Sequence, residues 1–327
     1  MPSTIATLLH RSLDYAGVFP PASLPVPAAL QQFEEERSAN SAGMLSRFVC
    51  PVLRLEEMAA VPDAGERPSL VVSILPRGGR SAGEFLANLE ADLAAIQRIA
   101  QLHRGALVID TIELRPPGDA LQQPALRKLL AAVSALLSRR AADVRQVFVE
   151  LTPGAQLASQ LELLADPSIG GASEVSLLLG YKLRTGGSDA TAAPSPAQVA
   201  TALGCAAALQ LPMKCTGGLH RPLRGTGANP MHGFINLLVA ATFAATLRND
   251  AGLIESVLEE TDPAAFAFDA RAIAWREHKL TPKAVTAARE KLLLSFGSCY
   301  ADQPRLELQK LGWWPKPVRT EVVGIAH

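Results

Sequence analysis

The chain carries little charge and few lysines. Of its 327 residues 19% are charged, and 31 basic side chains are balanced by 31 acidic ones, so the formal net charge is zero. Proteins that bind nucleic acid or an anionic membrane surface usually have a basic excess, and the balance argues against both kinds of partner. Only eight of the basic residues are lysines, and two of these, Lys182 and Lys214, follow neighbouring apolar runs of the chain.

The chain is also poor in cysteine and has no long apolar segment. None of its four cysteines forms a CxxC pair, which argues against a zinc ribbon or a thioredoxin motif. The first residues lack a basic region followed by an apolar core, and the longest apolar run, 234–247, is too short to span a bilayer. We therefore expect a cytoplasmic protein with reduced thiols and no membrane association.

Short apolar runs alternate with longer amphipathic segments over most of the chain. Such alternation is typical of parallel strands joined by helical crossovers. We predict an α/β fold, a (β/α)8 TIM-like barrel with an N-terminal helical extension, and an open doubly wound sheet is the main alternative. The predicted strands are 47–52, 69–76, 106–114, 146–152, 175–183, 211–216, 265–269 and 294–299.

The predicted barrel occupies residues 46–312. Residues 1–45 form the extension, in which Asp14 and Tyr15 precede the barrel, and residues 313–327 form a C-terminal tail. The small-residue stretch 186–194 has the composition of a loop.

Polar residues lie at the ends of several predicted strands, where parallel barrels place their active sites. The third strand carries Asp110 and Glu113, and the fourth ends at Glu150. Strand side chains alternate between faces. Gly180, Lys182 and Arg184 therefore share one face of the fifth strand, and Lys214 and Thr216 share one face of the sixth.

These cations suggest a binding site with lysine chemistry. Burying two lysines and an arginine is costly unless they are paired or meet an anion, which favours a small anionic or carbonyl substrate. A lysine near a second cation can attack a carbonyl as a neutral amine. On this reasoning Lys214 is slightly preferred as the nucleophile and Lys182 is the alternative. Glu150 or Asp110 would transfer protons.

The segments Lys182-Leu-Arg-Thr-Gly and Lys214-Cys-Thr-Gly-Gly resemble the two lysine segments of deoxyribose-phosphate aldolase, a class I aldolase barrel. The resemblance covers residues 182–218 and implies that Lys182 forms the Schiff base and Lys214 is its electrostatic partner. Arg184 and the segment 220–224 depart from the aldolase pattern.

The whole chain also resembles a bacterial protein family with no assigned activity. The motifs behind that likeness are residues 14–21, 182–187, 218–224, 231–236 and 296–299.

The segment 217–230 after the sixth strand is long for a βα loop and is rich in Gly, Arg and Pro. Arginine suits carboxylate or phosphate contacts, and paired glycines let a backbone approach an anion. Late-strand loops of barrels often hold phosphate. The substrate-binding candidates are therefore Arg184, Thr216, Gly217, Gly218, His220, Arg221, Arg224, His232, Ser298 and Cys299. No histidine is visible in the sequence as a partner that would make Cys299 a nucleophile.

Four functions remain open from the sequence. The first is a lysine-dependent lyase of the aldolase kind that needs no cofactor. The second is a barrel enzyme that uses the cations only as electrostatic stabilisers, such as an isomerase or a transferase. The third is a metal-assisted hydrolase or lyase built on His220, His232 and Glu150, although their spacing matches no standard ligand set. The fourth is a non-catalytic anion-binding barrel. A homo-oligomer is also possible.

Overall fold

The computed structural model describes residues 3–39, 43–60, 69–103, 105–140, 144–169, 177–186, 193–227, 230–247 and 250–315. Most of the predicted loop at 186–194 and the last twelve residues of the predicted tail lie outside the described residues.

Eight parallel strands close into a barrel, as the sequence predicts. The strands are β1 (Leu13–Tyr15), β2 (Leu45–Pro51), β3 (Leu70–Leu75), β4 (Leu107–Leu114), β5 (Gln146–Glu150), β6 (Leu178–Arg184), β7 (Met213–Thr216) and β11 (Leu293–Ser298). Their order around the barrel is β1-β11-β7-β6-β5-β4-β3-β2. Every neighbouring pair is parallel, so the carboxyl ends of all eight strands meet at one rim.

Helices cover the barrel. They are α1 (Ser3–Leu9), α2 (Val26–Ala39), α3 (Ala82–Leu102), α4 (Gln123–Arg140), α5 (Leu157–Ala165), α6 (Pro196–Ala208), α7 (Phe234–Thr246), α8 (Ala251–Glu259), α9 (Pro282–Lys291) and α10 (Gln303–Lys310). Short 3₁₀ segments lie at Val52–Ala60, Gly118–Ala120 and Pro263–Ala265. The cap-then-proline pairs Ser195-Pro196 and Thr281-Pro282 begin α6 and α9, where each hydroxyl accepts a backbone N–H of the first turn.

The strand count is right, but one strand is assigned wrongly. The segment 265–269 is not in the barrel; β8 (Phe266–Phe268), β9 (Ile273–Trp275) and β10 (His278–Leu280) form a separate antiparallel sheet within the last crossover. The eighth position belongs to β1, which pairs with β11 and β2. Asp14 and Tyr15 therefore lie within the barrel wall, and the barrel begins inside the segment 1–45 that was predicted to precede it.

The start of the tail packs on the small sheet. The Trp313 ring lies edge-on against Phe266 and Phe268, at centroid distances of 6.0 and 5.0 Å, and Trp314 is buried. Among the described residues, no helix combines the length and apolar character that crossing a bilayer requires.

Candidate active site

A cavity of about 830 Å³ opens at the carboxyl-terminal rim of the barrel. Its floor includes Lys182 and Lys214, and its wall includes the strand-end residues Arg184 and Thr216. The loop after β7 supplies much of the rest of the wall. Of the substrate-binding candidates from the sequence, all except Arg224 line this cavity.

The two lysines face each other across neighbouring strands, because Lys182 of β6 is in register with Lys214 of β7. Both side chains point into the barrel and are almost fully buried, with exposed fractions of 5% and 1%. Like charges placed opposite one another destabilise a sheet unless they are neutralised. The carboxylates around them supply that neutralisation.

Lys214 is held by two buried carboxylates. Its Nζ donates to Asp14 Oδ2 at 2.5 Å and to Glu113 Oε1 at 2.6 Å. Burial disfavours the ammonium form, but attraction to Asp14 and Glu113 outweighs burial and raises the pKa of Lys214. The geometry therefore keeps Lys214 charged at neutral pH.

Glu113 links the two lysines. Its Oε1 accepts from Lys214 and from the Ser73 hydroxyl, and its Oε2 lies 2.8 Å from Lys182 Nζ. Burial would raise the pKa of Glu113, but attraction to Lys182 and Lys214 lowers it well below its ordinary value. One ionised carboxylate thus connects both amines.

Glu150 is the second carboxylate on Lys182. The two residues are in register on β5 and β6, and Glu150 Oε2 lies 2.9 Å from Lys182 Nζ. Its other oxygen accepts from Arg184 Nε at 3.1 Å. Burial opposes ionisation, but Lys182 and Arg184 lower the pKa of Glu150.

The interior cluster is balanced in charge. Lys182, Arg184 and Lys214 lie within 3.1 Å of three carboxylates, Asp14, Glu113 and Glu150, and the exposed Arg115 adds only a longer contact of 3.8 Å to Glu150. The balance removes the need for a bound anion to neutralise the lysines, which was one reason to expect an anionic substrate. The cation without such a partner is Arg221, whose exposed side chain lines the cavity and has no ion pair within the described part of the chain.

Asp110 does not join the cluster. Its carboxylate accepts from Arg47 at 2.7 and 2.9 Å, and Arg47 also reaches Gln146, the first residue of β5. The register of β3 with β4 shifts between Val72 and Ser73 and skips Asp110. Asp110 also lies three residues before Glu113, farther from the carboxyl end of the strand, so the site carboxylate of β4 is Glu113.

A close backbone contact fixes the rim beside Arg184. Gly217 has φ +88°, and a Cβ on it would overlap the carbonyl oxygen of Gly186. The Thr185 hydroxyl donates to the carbonyl oxygens of Thr216 and Gly217 at 3.1 and 2.8 Å. The ends of β6 and β7 are thus held together, and only glycine fits at position 217 without strain.

His220 and His232 contact different partners and do not converge on Glu150, so the three residues do not form the metal site that the sequence suggests. His232 Nε2 lies 2.7 Å from the Pro194 carbonyl oxygen, and its Nδ1 lies 3.4 Å from Arg224 Nη1. His220 contacts residues at the end of β11 instead, while Glu150 is occupied by the lysine and arginine. No group of three or more His, Cys, Asp or Glu side chains with a metal-binding arrangement occurs in the ranges that the structure describes.

His220, Ser298 and Cys299 form a polar cluster on the cavity wall. His220 Nδ1 lies 2.9 Å from Ser298 Oγ, and His220 Nε2 lies 3.6 Å from Cys299 Sγ. The loop after β7 folds against the end of β11 and so brings a histidine into contact with Cys299, but the sulfur, which is also 4.0 Å from Nδ1, lies over the face of the imidazole ring.

A second cavity of about 550 Å³ lies on the other side of Lys182. It shares Glu113, Lys182 and Arg184 with the first cavity and is bordered by the loops after β3, β4 and β5. Lys214 borders the first cavity alone. Lys182 is therefore reached from two sides.

No protein-family model and no curated protein matches this chain. The resemblances to deoxyribose-phosphate aldolase and to the bacterial family rest on the motifs alone and stay predictions. What can be concluded about this site comes from its own geometry.

Of the three site carboxylates, sequence reasoning missed Asp14 and did not select Glu113 as a catalytic candidate. Asp14 lies in a strand of only three residues, too short for a pattern to reveal. Ser73 and Ser295, which bond Glu113 and Asp14, are single hydroxyls inside apolar runs. Glu113 gave one usable signal, since it lies nearer the carboxyl end of its strand than Asp110 does.

Proposed function

We propose that this protein is an enzyme that forms a Schiff base between Lys182 and a small carbonyl compound, in the manner of an aldolase-like lyase. The observation that carries the proposal is the position of Lys182 at the cavity floor between Glu113 and Glu150, next to Lys214, whose pKa is raised.

The surroundings of the two amines favour Lys182 over Lys214 as the nucleophile. Lys214 is fixed by two short hydrogen bonds and its pKa is raised, so its nitrogen has no free lone pair at neutral pH. Lys182 borders both cavities. The structure thus supports the role that the aldolase resemblance implies, and not the slight preference for Lys214.

The carboxylates supply the proton transfers of such a reaction. A proton from the Lys182 ammonium passes to Glu150, and the free amine then bonds to the carbonyl carbon. The protonated Glu150 then gives this proton to the carbonyl oxygen, while the Lys214 ammonium, which Glu113 connects to Lys182, stabilises the negative charge that develops on that oxygen. Loss of water then gives the iminium ion, whose positive charge withdraws electrons from the neighbouring carbon–carbon bond.

Arg221 suits an anionic group on the same substrate. It lies on the rim, beyond Gly217 and Gly218, whose backbone turns with positive φ angles beside the cavity. Guanidinium groups bind carboxylate and phosphate oxygens in pairs. The proposed substrate class is a carbonyl compound that bears a carboxylate or a phosphate.

Borohydride trapping tests this proposal directly. The protein is incubated with pyruvate, dihydroxyacetone phosphate or acetaldehyde, reduced with borohydride, and mapped by peptide mass spectrometry. We expect a reduced adduct on Lys182 that disappears in Lys182→Met and persists in Lys279→Met, a surface control. The absence of an adduct with all three compounds, or an adduct on Lys214, would contradict the proposal.

A second candidate uses the same residues without a covalent bond. Each lysine already makes contacts to two carboxylates, an arrangement that also suits a purely electrostatic site acting on a phosphorylated substrate. Turnover that survives borohydride treatment in the presence of substrate would favour this candidate over the Schiff base.

A further inference from the structure

The two cavities at the rim meet at the Lys182 amine. Its Nζ lies 2.8 Å from Glu113 Oε2 and 2.9 Å from Glu150 Oε2. Lys214 borders the first cavity and Glu150 the second, and within the described part of the chain neither residue borders both. A compound bonded to Lys182 therefore has room to extend in two directions, toward Lys214 in one cavity and along Glu150 into the other.

Arginines from three different strand ends line the second cavity. Arg77 follows β3, Arg115 follows β4, and Arg184 ends β6. Arg77 Nε donates to Asp92 Oδ1 at 2.6 Å, and Arg184 Nε donates to Glu150 Oε1 at 3.1 Å. Because guanidinium groups bind carboxylate oxygens in pairs, this wall has the kind of donors that an anionic group needs.

Arg115 is the positive charge that the surrounding carboxylates do not balance. Its Nε lies 3.8 Å from Glu150 Oε1, but the same carboxylate has two closer cations in Lys182 and Arg184. The Arg115 side chain is 72% exposed, so solvent weakens its attraction to Glu150. The second cavity thus has one surplus positive charge, as Arg221 gives the first, and a group with a single negative charge would balance it.

The loop that carries Arg77 is held in place before any ligand binds. Asp92, which is 3% exposed, accepts the backbone N–H of Arg77 at 2.8 Å as well as its side chain. Gly79 packs so closely on the first turn of α3 that a Cβ would overlap the helix backbone. A wall that is already fixed loses little conformational entropy on binding, which favours this cavity as a ligand site.

We infer that the second cavity is a carboxylate subsite for the part of the substrate that leaves as an aldehyde, with Arg115 as the residue that binds the carboxylate. This inference rests on the Schiff base proposed above. The substrate class is then a hydroxy-oxo acid with an anionic group at each end, one on Arg221 and one on Arg115. Its carbonyl carbon is bonded to Lys182, and its hydroxyl lies beside Glu150.

Glu150 supplies the base for breaking the carbon–carbon bond. With the iminium ion on Lys182 in place, the hydroxyl proton of the leaving part passes to Glu150, and the O–H electron pair forms the C=O bond of the aldehyde. The electron pair of the broken carbon–carbon bond forms the double bond of an enamine, and the iminium nitrogen becomes neutral. A positive iminium ion and a negative carboxylate thus become a neutral enamine and a neutral acid. The aldehyde is released into the cavity that Glu150 borders.

Addition in the reverse direction tests the subsite with two aldehydes of equal length. The protein is given saturating pyruvate with either succinic semialdehyde or butanal, which carry a carboxylate and a methyl group at the far end, and the addition products are measured by mass spectrometry. We expect kcat/KM for succinic semialdehyde to be at least about ten times that for butanal, since hydrogen bonds to a charged group contribute factors of this size. Equal values for the two aldehydes would overturn the inference.

Arg115→Met should remove the preference for the carboxylate. We expect kcat/KM for succinic semialdehyde to fall at least about tenfold and that for butanal to stay unchanged, while pyruvate still gives its reduced adduct on Lys182. Arg80→Met is the matched control, because the Arg80 side chain is 96% exposed and lines neither cavity. A preference that survives Arg115→Met, or that Arg80→Met removes as well, would overturn the assignment of Arg115.

Butyrate binding tests the subsite without any Schiff base, because butyrate has a carboxylate but no aldehyde or ketone group. In Arg221→Ala, which removes the anion-binding arginine of the first cavity, ligand-observed NMR should still detect bound butyrate, and adding Arg115→Met should abolish the signal. If pyruvate gives no adduct on Lys182 but butyrate behaves in this way, the Schiff base fails and the carboxylate subsite stands. If the adduct forms but Arg115→Met leaves butyrate binding unchanged, the subsite fails and the Schiff base stands. Tighter binding of inorganic phosphate than of butyrate in Arg221→Ala would overturn the choice of a carboxylate.

Discussion

Removing the Lys214 amine tests whether the interior cluster is held together by charge. In Lys214→Met the apolar stem is kept, while Asp14 and Glu113 lose a common partner. Glu113 keeps Lys182 and Ser73. Asp14 keeps one hydrogen bond, from the Ser295 hydroxyl, and its Oδ1 has no hydrogen-bond partner among the described residues. Arg47 and Arg289 attract the Asp14 carboxylate without bonding to it. The main penalty therefore falls on Asp14, a carboxylate that is 1% exposed.

The expected loss of unfolding free energy follows from the fact that Asp14 loses more of its partners than Glu113 does. Breaking a buried pair by removing one partner costs about 3–5 kcal/mol of unfolding free energy, and we expect a value in this range for Lys214→Met. Removing the unpaired carboxylate as well, in Asp14→Asn/Lys214→Met, should recover about 0.5–3 kcal/mol of unfolding free energy, the usual coupling between residues in contact.

Urea unfolding monitored by circular dichroism at pH 7 measures both effects. Lys128→Met, an exposed change on α4, is the matched control and should alter stability by less than about 0.5 kcal/mol. A loss below about 1 kcal/mol for Lys214→Met, or a double variant less stable than the single one, would show that Asp14 and Lys214 do not depend on each other.

Three other outcomes follow from the same contacts. Glu113 and Glu150 have folded pKa values below the ordinary 4.5, so their stabilisation is present above that pH and is lost as pH falls through the folded values; an acid titration of the urea midpoint should show this decline, and a flat profile would contradict it. Arg221→Ala should weaken phosphate binding in calorimetry while stability changes by less than about 0.5 kcal/mol; unchanged binding would remove Arg221 from the site. Gly217→Ala should cost at least about 1–2 kcal/mol in thermal unfolding, because the residue has a positive φ and its Cβ meets Gly186; an unaffected melting temperature would refute this.

The barrel could be predicted because its signal is repeated along the chain. Seven of the eight barrel strands lie on predicted apolar runs, and hydrophobic patterning reports such runs well when both faces of a strand are buried. β1 could not be predicted, because a strand of three residues shows no hydrophobic periodicity and the segment 16–21 that follows it contains Gly and paired Pro. The sequence predicts the run 265–269 as the eighth barrel strand instead, because an edge strand of a small sheet has an apolar composition similar to that of a barrel strand.

The cationic side of the site could also be predicted, since alternation along β6 and β7 is regular. It correctly placed Lys182, Arg184 and Lys214 in one cavity. The acidic side is predicted only in part: Glu150 is a candidate from the sequence, but Asp110 is taken in place of Glu113 on β4, and Asp14 lies in a strand of only three residues. The pairing of His220 with Cys299 depends on how a loop folds back over the rim, and sequence spacing does not encode that contact.

Burying these charged side chains inside the barrel costs desolvation free energy, and a contribution to stability alone does not explain why they are there. Barrel interiors are usually filled by layers of branched apolar side chains. Here one layer is built from two lysines and two carboxylates, all of them under a tenth exposed, with a third carboxylate on β1. Buried ion pairs are often no more stabilising than apolar residues of the same volume. Because this layer forms the floor of an open cavity, the groups that cost desolvation energy are also the ones that a substrate of the proposed reaction would touch.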